Sequence, residues 1–185
     1  MANTNTVARS LHDLGLATWF GGSLMGDIGL NGAASEARDP KERNRIASSG
    51  WARWTPVNLG AIAAHLAGGA LITVANRGRI AGQRGVATTS LAKTVLTGAA
   101  LAATGYARYL GQKQMDRPDV AVDAATTPSG QTPAEVAKAQ QQQRIVQWAI
   151  PALTGALVVI SAWMGEQQRT TEVASGVLQR ILPGQ

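Results

Sequence analysis

Residues 21–31 read "GGSLMGDIGLN". The stretch has the small, apolar character of a membrane helix, yet Asp27 stands inside it and four of its eleven residues are glycine. The apolar run around it extends over 10–32, and at about 1.5 Å per residue such a run reaches the ~30 Å thickness of a hydrocarbon core. Advancing by about 100° per residue, Gly15, Gly22, Gly26 and Gly29 gather on one side of that helix, and Asp13, Phe20, Asp27 and Asn31 gather on another. Glycines at this spacing let two helix backbones approach closely, which is how helices associate where no hydrophobic force acts between them. A carboxylate in hydrocarbon costs at least about 2.5 kcal/mol, so Asp27 is expected to face protein or water.

Three further runs of similar length follow at 56–76, 88–110 and 146–164. Each carries a polar stripe: Asn58, His65 and Asn76 on the second, Lys93, Thr97, Thr104 and Arg108 on the third, Gln147, Thr154 and Ser161 on the fourth. Lipid would leave these groups without hydrogen-bond partners, so the stripes are expected to converge on a common polar interior. With spans alternating in direction, Asp13 and Lys93 fall at one membrane level and suit an ion pair. Asp27 falls toward the opposite level beside Asn58, with His65 near mid-membrane, an arrangement suited either to structural hydrogen bonding or to a proton, ion or ligand path. Lys93 has a stem long enough to reach the interface, and the hydroxyls of the stripes can bond their own helix backbone.

Composition agrees with a membrane location. Charged residues make up 15% of the 185 residues, against about 25% in soluble proteins. Most charges lie in the connecting segments and tails. Trp51 and Trp54 precede the second run, Tyr106 and Tyr109 close the third, and Trp148 and Trp163 bracket the fourth, as interfacial aromatics do. Trp19, inside the first run, reads as a packing residue. The absence of cysteine excludes disulfides, thiolate metal sites and a cysteine nucleophile. No apolar core with a small-residue cleavage site follows the polar start "MANTNTVARS", so no cleaved signal is expected.

Asp39-Pro40, Thr55-Pro56 and Thr132-Pro133 each set a capping side chain before proline, predicting helix starts at 40, 56 and 133. The first predicts a short surface helix ending near Gly50, and the last a fourth helix extended beyond the bilayer, with Pro151 as a possible kink. Residues 112–131 lack a period in their greater part and read as a mobile loop. In the tail 168–185, Val173, Val177, Ile181 and Leu182 suit an amphipathic interfacial helix. Segments 33–55 and 108–145 hold ten Lys or Arg against six in the N-terminal tail, the 77–87 turn and the C-terminal tail, which favours the first pair as cytoplasmic.

No nucleotide-binding, phosphate-loop or nucleophile-elbow motif is present, and His12 and His65 are too few and too separated in depth for a metal site. A net charge of +6 is scattered over several loops without an aromatic platform, so nucleic acid is not expected as a partner. No catalytic residue, metal or cofactor is implied, and the chain reads as a non-enzyme. "LHDLGLATWFGGSLMGDIGLNGAA" and "VQWAIPALTGALVVISAWMGEQQR" resemble small uncharacterised four-helix membrane proteins of high-GC Gram-positive bacteria. That resemblance implies four membrane helices in a bacterial plasma membrane and transfers no functional residue.

The reading is therefore an all-α integral membrane four-helix bundle forming one domain over 1–185. Its partners are the lipid bilayer and either other membrane subunits or further copies of itself. The leading function is a structural or assembly subunit of a membrane complex. A small transporter, channel or ligand-binding bundle built on the polar interior is the second, and a peripheral or soluble helical protein the third.

Overall fold

A computed structural model describes residues 5–82 and 86–166 of the chain. Helix α1 (Thr6–Met25), a π-helical turn (Gly26–Leu30) and α2 (Asn31–Ser35) form one continuous rod, because the backbone stays in the right-handed helical region through Gly26 and Asn31. Then come α3 (Pro40–Ala75), the short α4 (Arg77–Gly82), α5 (Val86–Met115) and α6 (Ala134–Glu166). An antiparallel pair of very short strands, β1 (Val122–Ala124) and β2 (Thr127–Pro128), lies between α5 and α6.

The first rod packs along α3 and, on another side, along α6, while α5 packs along α6. Helices α3 and α5 meet much less, so the bundle is open between them. Packing of α1 on α3 rests on small residues. A Cβ at Gly15 would collide with the Ala61 carbonyl and the His65 backbone, and one at Gly68 would collide with the Ala8 carbonyl and the His12 backbone. Gly22 and Gly26 instead seat the indole rings of Trp54 and Trp51. Each step forward along α1 is matched by an equal step back along α3, which is the geometry of an antiparallel hairpin closed by the turn at 36–39. Gly29 departs from the expected stripe: it is exposed, and only its own helix's Met25 lies near it. The π turn explains this, since its wider winding shifts the helical phase between Gly26 and Leu30.

Among the described residues three helices are long and apolar enough to cross a membrane: Pro40–Ala75, Val86–Met115 and Ala134–Gly165. Only 22%, 17% and 28% of their most apolar windows are buried, so most of their apolar side chains face outward. The first rod was expected to be a fourth such helix, but Arg9, His12 and Asp13, together with its glycines and hydroxyls, keep α1 out of that group.

Two further expectations are corrected. The separate surface helix at 40–50 does not exist, because α3 runs unbroken through Pro56. Asp39 does cap it, its Oδ1 accepting from the Lys41 N–H at 2.9 Å. At Pro56 the missing N–H and ring clash disfavour a helix by roughly 3 kcal/mol. The indoles of Trp51 and Trp54, packed on α1 just before the proline, and the glycine contacts after it hold both halves on one axis.

The segment read as a mobile loop is instead folded over one end of the bundle. Val122 is fully buried, and Ala125 packs with Ala34 and Ala47. Asn44 Nδ2 donates to the Arg117 carbonyl at 3.0 Å, Arg43 Nη1 to the Asp123 carbonyl at 3.0 Å, and Gln140 Nε2 to the Ala125 carbonyl at 3.3 Å. Ser129 and Thr132 hydroxyls both donate to the Ala121 carbonyl. Backbone groups that lack a regular ladder are thus satisfied by side chains from α3 and α6, far away in sequence.

Gly15→Leu or Gly68→Leu is expected to lower stability in detergent by about 3 kcal/mol, since backbone and not a flexible side chain blocks the added carbons. Gly29→Leu is expected to be neutral, and thermal melting of the three variants checks the contrast. Asn44→Ala removes the donor to the Arg117 carbonyl and is expected to cost about 1–2 kcal/mol. Faster proteolytic cleavage within 116–131 is its readout.

Candidate functional site

Where α3 and α5 diverge, the bundle holds a partly open cavity of about 440 Å³. All four long rods contribute to its wall: Ser23, Asp27 and Asn31 from the first, Trp51, Trp54 and Asn58 from α3, Leu101, Thr104 and Arg108 from α5, Gln143, Gln147 and Ile150 from α6. Ala125 and Thr126 of the folded connection reach its outer end. The volume lies in the range of small-molecule sites.

Asp27 occupies the π turn, directly after the glycine on which the Trp51 ring sits. It is 7% exposed, and its Oδ2 has no hydrogen-bond partner. Trp54 Nε1, Asn58 Oδ1 and Gln143 Oε1, in the wall of the same cavity, are likewise buried and unpartnered. Native interiors leave few polar groups in this condition, because each costs about 1–3 kcal/mol. Next to them the wall is fully bonded. Trp51 Nε1 donates to Asn31 Oδ1 at 2.9 Å, and Asn31 Nδ2 donates to Gln147 Oε1 at 3.2 Å, which ties α3, the end of the π turn and α6 together.

An apolar belt closes the inner end of the cavity. Leu16, Trp19, Ile62, Ala100, Ile150 and Leu157 form one buried cluster, and Trp19 Nε1 donates to Thr104 Oγ1 at 3.1 Å. Beyond the belt lies a second polar group. Lys93 Nζ and His12 Nε2 share a hydrogen bond of 2.7 Å. His65 Nδ1 donates to the His12 carbonyl at 3.1 Å, and the two imidazoles meet edge to face with centroids 4.1 Å apart. His12 Nδ1 is 3.6 Å from Asp13 Oδ1, a carboxylate whose side chain is 69% exposed. His12 Nδ1 has no hydrogen-bond partner among the described residues, so the exposed carboxylate lies near this group without being bonded to it.

The polar stripes therefore resolve into two separate centres. Asp27, Asn31 and Asn58 share the cavity, whereas His65 and Lys93 lie beyond the belt. The expected Asp27–His65 proximity fails because Asp27 lies fifteen positions further along the first rod than His12, the residue that His65 touches. The expected Asp13–Lys93 pair is replaced by His12–Lys93, since Asp13 lies on the exposed side of α1. Sequence also held His12 and His65 too distant in depth, but the glycine contacts slide α3 along α1 until the rings touch. Among the described residues no cluster of three metal-ligating side chains forms. Thr97 and Thr154 take no part in either centre's bonding: their hydroxyls donate to the Lys93 and Ile150 carbonyls of their own helices.

Trp51 and Trp54 read as interface markers, and Gln143 as part of a projecting segment; all three belong to the cavity wall. A helical face carrying Trp51, Trp54, Asn58 and Ile62 at steps of three and four was the signal that could have found the indoles. No protein-family model, no curated protein and no solved structure matches the chain.

Trp51→Phe keeps the ring on Gly26 but removes the indole donor, leaving Asn31 Oδ1 unpaired. A loss of about 1–2 kcal/mol is expected in thermal or chemical unfolding. Asn31→Leu combined with Trp51→Phe should lose less than the two single changes together, as for members of one network.

Proposed function

We propose that the chain is an integral membrane protein of four crossing rods in a bacterial plasma membrane, and that its interior cavity binds a small molecule. Its role is that of a ligand-binding or transport bundle and not of an enzyme. The observation carrying this reading is the cavity itself: a space of about 440 Å³ walled by every long rod, with four buried polar groups in its wall that find no partner among the described residues. Packing alone would fill such a space or pair such groups. An ionisable residue at this depth marks a functional site in membrane bundles by default.

The outer surface supports the membrane. Leu14, Met25, Leu71, Leu91, Ile145 and Val159 are each more than half exposed, an apolar display that water tolerates poorly and lipid accepts. It also supports a fourth crossing, because Leu14, Met25 and Ile28 give the first rod the same outward apolar character. Assembly with other membrane subunits draws on this same surface and leaves the interior cavity unaccounted for.

The chain lacks cysteine, so single cysteines report cleanly. In membrane vesicles, Asn58→Cys and Gln143→Cys are expected to react with a small membrane-impermeant thiol reagent, while Ala100→Cys and Leu157→Cys in the belt stay protected. The protein should also remain in the pellet after carbonate washing. Protection at all four positions would remove the accessible cavity and leave the assembly role, and release by carbonate would remove the membrane.

A further inference from the structure

Taking the cavity to be a binding site, we infer that its occupant is a small organic cation: a protonated amine held at Asp27, with its apolar body against the indoles of Trp51 and Trp54. This rests on the reading of the cavity given above and specifies its ligand.

The unpartnered groups have a sign. Three are acceptor oxygens, on Asp27, Asn58 and Gln143, and one is a donor, on Trp54. The amides of Asn58 and Gln143 also carry N–H groups, so the acceptor-only carboxylate of Asp27 sets the sign of the site, and an ammonium brings donors only. Charge points the same way. Asp27 and Arg108 are the charged residues of the wall, and Asp27 forms no ion pair among the described residues. Arg108 does not compensate it: its guanidinium is exposed and turned to Met115 Sδ, at 3.7 Å, toward the end of α5. A buried carboxylate without a fixed counter-charge is the arrangement that an incoming cation completes.

The aromatic residues sit where such a cation would need them. Trp51 packs on Gly26, the neighbour of Asp27, and Trp54 packs on Gly22, one turn earlier on the same rod, and both indoles line the cavity that Asp27 lines. Indole faces attract ammonium groups through the ring quadrupole and accept the carbon attached to them. A bare metal ion fits poorly. Hard cations take six or more oxygens at short range, and no cluster of three ligating residues occurs here among those described.

The test uses phenethylammonium and propylbenzene, two molecules of one shape in which a methyl replaces the charged nitrogen. Full-length protein in mild detergent at neutral pH is titrated with each, followed by tryptophan fluorescence and calorimetry. Phenethylammonium is expected to bind at least about tenfold more tightly. Asp27→Asn, which keeps the shape, should reduce it to the level of propylbenzene, with thermal melting confirming the fold. Equal binding of the two by the wild-type protein overturns the cation while leaving a binding cavity. Binding of neither up to millimolar concentration removes the cavity's role altogether. Repeating the titration in phosphatidylglycerol nanodiscs with and without phosphatidylethanolamine separates two sources of the same group. Competition by the added lipid assigns the ammonium to a headgroup, and its absence assigns it to a free amine; both sustain amine recognition.

Discussion

The close approach of α1 and α3 governs the rest of the molecule. Gly15 lies against the backbone at Ala61 and His65, and Gly68 lies against the backbone at Ala8 and His12, so neither helix can slide or rotate without steric collision. Where backbones can touch, dispersion contacts are dense and short side chains lose little entropy on packing, which is the main source of helix association in lipid. Once this register is set, Gly22 and Gly26 of the stripe fall opposite tryptophans. The small residues do not only admit a neighbouring helix; at Gly22 and Gly26 they admit indole rings that become the wall of a cavity.

The π turn completes what the glycines begin. By inserting a wider turn at Gly26–Leu30, the rod changes phase after Gly26 and turns Gly29 outward, while Asp27 and Asn31 stay on the side of the cavity. Such turns exchange regular i→i+4 bonding for a local change in side-chain direction and are concentrated at functional sites. Here the change has a clear division of labour. Asn31 joins Trp51 and Gln147 in a bonded brace, and Asp27 is left with a buried oxygen that none of the described residues satisfies.

Between its two polar centres the bundle keeps an apolar belt around Trp19, itself fully buried. The belt separates the Lys93–His12–His65 group from the cavity holding Asp27. In a low-dielectric interior this separation matters, because charges placed together would pair and neutralise one another. Kept apart, the lysine is satisfied by an imidazole and the carboxylate is not satisfied by a lysine. The folded connection over 116–131, held by Asn44, Arg43 and Gln140, covers the end of the bundle nearest the cavity.

What sequence determined by itself is what period and local chemistry control. The helical runs, the Asp39 cap before Pro40, the small-residue face with Gly15, Gly22 and Gly26, and the inward side of Asp27, Asn31 and Asn58 follow from spacing along one helix. Tertiary structure decided everything that needs two distant segments at once. It set the register that joins His12 to His65, turned Trp51 and Trp54 from interface markers into cavity walls, carried α3 through Pro56, and folded the connection whose backbone is bonded by side chains from α3 and α6. Depth estimated from each run separately could not supply these pairings, because a helix's position along its neighbour is fixed by which side chains collide and not by its length.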